Sequence, residues 1–112
     1  MKVLIMFLII ALSSPAFAKN VTRCGWIWNP TPANYWIDDA DGQWIISVQG
    51  GYQAKGDIEA YPTDEQMVRT NGNYGYWCGC ITGSFDAKKQ LVKEIVASSV
   101  KNLKVCLEDP NL

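Results

Sequence analysis

The sequence contains no histidine. That removes Ser-His-Asp and Cys-His nucleophile systems and the common histidine-based metal sites. A phosphate-binding glycine loop is also missing, because Gly50-Gly51 and Gly79 do not open helices. Beyond the N-terminal segment no apolar run is long enough to cross a bilayer. Nothing repeats at a fixed period and nothing is low in complexity. Basic residues are not in excess: after residue 18 there are nine against eleven acidic ones, a net charge of −2. A nucleic-acid partner needs a basic footprint and is not expected. Leu and Phe are scarce in the same region, so a core must be built from other side chains.

The first 18 residues read as a secretory signal peptide. Lys2 is a basic n-region, Val3 to Leu12 a short apolar region, and Ala16-Phe-Ala18 a small-residue cleavage site. The apolar run is about half of what a spanning helix needs. Arg23 before Cys24 argues against a lipid-modified cysteine. The expected mature chain, Lys19 to Leu112, is a single small domain of 94 residues. At that size a hydrophobic core alone is marginal. The expected location is periplasmic or secreted, with no membrane span after signal cleavage. Asn20-Val21-Thr22 is a glycosylation sequon that counts only in a eukaryotic secretory pathway, and it sits hard against the cleavage site.

Four cysteines in a short exported chain most simply form two disulfides. Cys78 and Cys80 lie two apart in a strand-like stretch and therefore point to one face. Cys24 and Cys106 lie near the two ends of the mature chain. Each would bond one central cysteine, in the order 24–78 with 80–106 or 24–80 with 78–106. Two rivals are a reducible Cys78–Cys80 bond working in thiol exchange and a four-cysteine zinc site. The first lacks the Cys-x-x-Cys before a helix, the second its paired knuckles.

Between these anchors the chain alternates strands and turns. Cys24 to Trp28 has strand character and is stopped by Asn29-Pro-Thr-Pro32. Tyr35–Ile37 and Gln43–Gln49 flank a hairpin turn at Asp41-Gly42, with Trp44, Ile46 and Val48 on the core face. Gly50-Gly51 breaks that strand. Gln53 to Glu65 is a polar loop with room for one helical turn near Asp64–Met67. Met67–Thr70 and Tyr74–Thr82 form a hairpin about Asn71-Gly72. Asp86 to Val100 fits either a helix or a hairpin, since Leu91, Val92, Ile95 and Val96 have helical spacing but high β-branched content. The hairpin is preferred, with Asp86–Gln90 as its loop. Leu103–Cys106 is expected as a last short strand or an extended tail.

Candidate chemistry is thin. Asp38, Asp39, Asp41, Asp57 and Glu59 could supply a carboxylate pair for glycoside hydrolysis, but they lie in solvated, turn-like sequence. Asp39-Ala-Asp41-Gly42 resembles the start of a calcium loop whose later ligands are missing. The aromatic content says more. Five tryptophans and five tyrosines are more than so small a domain can bury completely. Trp44 and Trp77 are the expected core members. Trp26, Trp28, Tyr35, Trp36, Tyr52 and Tyr61 are the candidate binding surface for a protein or a sugar. Charge is also unevenly spread: seven acids against Lys55 between Asp38 and Glu65, then five lysines against Asp86 and Glu94 up to Lys104.

Arg23-Cys-Gly-Trp26, Asn29-Pro-Thr-Pro-Ala-Asn34, Asp41-Gly-Gln-Trp44 and Gln49-Gly-Gly-Tyr-Gln-Ala54 resemble motifs of a family of small secreted bacterial proteins. Thr70-Asn-Gly-Asn-Tyr-Gly-Tyr76, Cys78-Gly-Cys80 and Cys106 extend the resemblance over nearly all the mature chain. The family is a domain of unknown function. The resemblance implies a bacterial, periplasmic setting and transfers no catalytic residue. Trp77 stands where a glycine is expected, a departure that bears on local packing.

Taken together these features predict a mainly β fold: a small antiparallel sheet or partly open barrel of hairpins, stapled by two disulfides, with one short helix at most. The expected function is a non-catalytic binding protein or inhibitor acting on another protein of the cell envelope. The alternative is a glycan- or peptidoglycan-binding module. A thiol-exchange or carboxylate enzyme is the third and weakest reading. No cofactor, metal or catalytic residue is assigned.

Overall fold

Residues 74–86 form the longest strand, and the sheet is organised around it. The structure, a computed structural model, describes residues 19–112. The expected signal peptide lies outside the described residues. The elements are β1 Val21–Thr31, β2 Asn34–Asp39, β3 Gly42–Ser47, β4 Met67–Asn71, β5 Tyr74–Asp86, β6 Leu91–Val100 and α1 Leu103–Leu107.

The pairings run β1-β2-β3-β6-β5 and return from β5 to β1, so the sheet curls into a ring, with β4 attached outside it to the first part of β5. All ladders are antiparallel except the seam between β3 and β6, which is a single parallel pairing of Ile45 with Leu91. Where those two strands diverge, residues 53–55 fill the gap. Ala54 N donates to Ile46 O at 2.9 Å, Lys55 N to Lys93 O at 3.0 Å and Ile95 N to Lys55 O at 2.8 Å. The result is a mixed six-stranded sheet forming a partly open barrel, thin at one seam.

Strand parity places the core. Ile27 of β1 faces Ile37 of β2 and Trp77 of β5, and Ile37 faces Trp44 of β3. These side chains, with Ile46, Ile81, Val92 and Ile95, fill the ring, and Ala54 and Ile58 of the seam segment join them. Trp77 is fully buried among them. At one mouth of the ring Arg23 lies over the Trp44 ring. Towards the other end of β1, buried Asn29 donates its side-chain amide to Thr31 O and Asn34 O and holds the β1–β2 connection.

Close strand crossings need glycine. A Cβ on Gly83 would overlap the Glu94 carbonyl, and one on Gly25 the Asp38 carbonyl. These are the sharp bends that let short strands close a ring.

Several local expectations shift. β1 does not stop at Asn29 but runs through Pro30 to Thr31, because the register shifts between Trp28 and Thr31 and the proline owes the ladder nothing there. Both hairpin turns sit one residue away from the expected pair, at Ala40-Asp41 and Gly72-Asn73. Gly42 and Asn71 instead pair with Asp39 and Tyr74. Val48 is 47 % exposed and lies beyond the end of β3, so it does not join Trp44 and Ile46 in the core. Thr63 to Gln66 makes a hydrogen-bonded turn and no helix. Residues 91–100 are a strand, as preferred. Leu103–Cys106, expected to be extended, is helical: the Asn102 side chain caps Lys104 N at 3.0 Å, a standard helix start.

The disulfides are Cys24–Cys80 and Cys78–Cys106. Cys24 and Cys80 face each other across β1 and β5 with Cα atoms 4.1 Å apart. Cys106 docks α1 on the same outer face, its Sγ 3.3 Å from the Gly25 carbonyl oxygen.

Candidate binding surface

Residues of β1 alternate between the core and the outer face, and the outer set is Cys24, Trp26 and Trp28. The register brings neighbours beside them: Trp36 of β2 and Tyr76 of β5 both pair with Trp28, while Asp38 and Cys78 pair with Trp26. Trp28 is stacked on both sides, with Trp36 at 5.8 Å and 15° and with Tyr76 at 4.2 Å and 30°. Trp26 meets Tyr76 edge-on at 5.3 Å. All four side chains are half-buried. Trp36, Trp28 and Tyr76 therefore form a stacked row, with Trp26 set edge-on against Tyr76. Trp36 Nε1 donates to Asp38 Oδ2 at 3.4 Å. Burial lifts the Asp38 pKa above its ordinary value; the Trp36 N–H works against it and the Asp39 charge adds to it.

The other three candidate rings are elsewhere. Tyr35 and Tyr61 line a cleft of about 160 Å³ between β2, β3 and the 53–61 segment, together with Ser47, Gln53, Asp57 and Ile58. Burial, then the Tyr61 hydroxyl, then the neighbouring Tyr61 and Tyr74 charges push the Tyr35 phenol well above the ordinary tyrosine range. Tyr52 lies apart from both groups, its hydroxyl donating to Val92 O at 2.6 Å. The six residues thus divide into a row of three, a cleft pair and a single tethered ring.

Tyr76 belongs to the row and was not among the candidates. Parity could have found it, because Tyr76, Cys78 and Cys80 share one face of β5. Arg23 is the second omission. Its Nη1 donates to Asp39 Oδ2 at 2.8 Å and to Asp41 Oδ2 at 2.9 Å. Its guanidinium lies 3.9 Å from the Trp44 ring centroid and 5.0 Å from that of Phe85. Asp39 Oδ1 also accepts from Trp44 Nε1 at 3.0 Å.

This arrangement settles some chemistry. Asp39 and Asp41, whose sequence setting argued against hydrolytic or calcium-binding roles, are engaged by Arg23 in a structural cluster. Asp38 lies on the outer face beside Asp39, and Asp57 lies apart from them at the cleft. Both central cysteines are bonded outward, to Cys24 and Cys106, which overturns a Cys78–Cys80 exchange bond and a four-cysteine metal site. Among the described residues no cysteine is free, and no group of three or more Cys, Asp or Glu is placed to hold a metal ion. No described helix is long and apolar enough to cross a membrane.

No curated protein and no solved structure matches this chain. Residues 18–112 match a family described as protein of unknown function, DUF4087, and the chain belongs to that family.

Proposed function

We propose that this is an exported, non-catalytic binding protein whose partner is another protein of the bacterial cell envelope. The signal-like first 18 residues and the two disulfides support export to an oxidising compartment. The observation that carries the reading is the row Trp36–Trp28–Tyr76 with Trp26 beside it. Rings stacked on each other hold rigid positions at little entropic cost, and the indole N–H groups of Trp26 and Trp28 have no partner among the described residues. Rigid Trp and Tyr edges with free donors are what anchors at protein interfaces consist of. A sugar platform needs a free ring face, and both faces of Trp28 are taken. This weighs against the glycan reading, which remains the alternative.

Cross-linking of the mature protein to periplasmic extract should repeatedly recover one partner. Trp28→Asp should lose it, and Val105→Asp, on exposed α1, should retain it. Failure to recover a partner, or recovery unaffected by Trp28→Asp, would count decisively against the proposal. Tryptophan fluorescence that stays unchanged across a panel of cell-wall fragments would remove the glycan alternative.

A further inference from the structure

The cleft beneath Tyr35 and Tyr61 lies apart from the outer aromatic row and is built differently. Its floor consists of buried core side chains, Ile46, Ala54, Ile58 and Ile95. Its outer wall is the 53–61 segment, which is pinned rather than free. Besides the seam bonds of Ala54 and Lys55, the Ser98 hydroxyl accepts from Glu59 N at 3.2 Å and Ala60 N at 3.1 Å. Gly56 lets this wall approach β6, since a Cβ there would overlap the Ile95 carbonyl, and its φ of +81° suits glycine. The cleft is therefore preformed. Its volume, about 160 Å³, is well below the roughly 300–1,000 Å³ of pockets for drug-sized ligands. It fits a small molecule.

The polar groups select the sign of that molecule. Asp57 carries the single charge in the lining, and its carboxylate makes no ion pair among the described residues. The Ser47 hydroxyl donates to Ala33 O at 2.7 Å and is committed. The Tyr35 phenol stays protonated and neutral because burial raises its pKa. No cationic residue lines the cleft, and the stretch from Asp38 to Glu65 carries seven acids against Lys55. An anion would meet Asp57 unpaired. A cation meets a carboxylate and tyrosine rings, the combination that recognises ammonium groups.

We infer that the cleft bounded by Tyr35, Asp57 and Tyr61 over the Ile46–Ile95 floor binds a small organic cation, a primary or quaternary ammonium compound. The test is backbone-amide NMR on the oxidised mature protein. Choline is titrated against 3,3-dimethylbutan-1-ol, its neutral isostere, and against N-acetylglucosamine. Choline should shift the amides of Ala54, Gly56, Asp57 and Ile58 saturably, and the neutral isostere should bind at least fivefold more weakly. Asp57→Asn, at an exposed position, should weaken choline by about fivefold, the scale of one partly solvated charge pair. Tyr61→Leu should also weaken it, while both variants keep the dispersed spectrum of the fold. Equal binding of the isostere, preference for the sugar, absence of saturable shifts, or an unaffected Asp57→Asn would each overturn the assignment. None of these outcomes touches the outer aromatic row, so the two proposals fail separately.

Discussion

The guanidinium of Arg23 lies 3.9 Å from the centroid of the Trp44 ring, and Asp39 accepts hydrogen bonds from both residues. Arg23 thereby closes one mouth of the ring with its planar head while its charge is met by two carboxylates. Removing it leaves Asp39, whose side chain is only 7 % exposed, without its cation. Arg23→Ala should cost about 2–4 kcal/mol, the scale for stranding one partner of a mostly buried pair. Arg23→Lys should recover only part of that, because a lysine cannot lie flat on the indole. Urea unfolding of the three proteins measures both.

The two disulfides should differ little in weight. Cys24–Cys80 spans a sequence separation of 56 and Cys78–Cys106 one of 28. Loop-closure entropy then gives about 4 and about 3.5 kcal/mol respectively. Replacing either pair by serine should lower the urea midpoint accordingly, and replacing both should leave a chain unfolded at 37 °C. Peptide mapping of the oxidised protein should recover 24–80 and 78–106, not the exchanged pair.

Asp38 should give the protein a distinctive acid response. Its folded pKa lies above its unfolded value, so the native state holds the proton more tightly. Its contribution is fully present below the ordinary carboxylate pKa and is lost as pH rises through the raised folded value. Asp38→Asn should therefore be more stable than the parent near neutrality, and the difference should shrink as pH falls towards the unfolded pKa. Melting temperatures of the two proteins across that range test the sign.

Gly83 sits where β6 presses its Glu94 carbonyl against β5. Gly83→Ala asks for space the backbone does not have, and overpacking of this kind costs about 1–3 kcal/mol. Gly72→Ala meets no neighbour and should cost less, its penalty being only the turn's φ of +58°. Thermal unfolding of the pair separates crowding from backbone conformation.

Trp28→Ala removes the middle ring of the outer row and both of its stacked contacts. About 2–3 kcal/mol of stability should go with it. The tryptophan exciton signal of the Trp28–Trp36 pair should vanish from the circular dichroism spectrum. A stable variant with an unchanged spectrum would show that the rings do not stack in solution.

Much of the strand pattern is legible in the sequence, because period-two alternation at Trp44 and Ile46 reports directly on a half-buried ladder. β6 reads ambiguously for a physical reason. Register shifts between Thr82 and Gly83 and between Ser84 and Phe85 allow Val92 and Ile95 both to face inward, three apart as on a helix. The split among the candidate rings is not legible, since it depends on which residues stand opposite one another. The placement of Trp36 and Tyr76 on either side of Trp28 follows from registers that hang on bulges and turns. Arg23 escapes notice because its partners lie as far along the chain as Phe85.

The register of β1 against β5 also shapes how the protein must mature. Cys78 and Cys80 share a face, so a slip of two residues would bring Cys24 opposite Cys78 and leave Cys80 for Cys106. Every side chain would keep its proper side, and the inside–outside parity that polices single-residue slips would raise no objection. What opposes the slip is particular: Ile27 would lose Trp77 for Gly75, and Gly25 would meet the Trp77 indole. The exchanged bridges are thus a near-native trap, two residues from home, and escape from it requires thiolate attack on a bond already formed. A folding compartment that can reshuffle disulfides as well as make them would shorten that search.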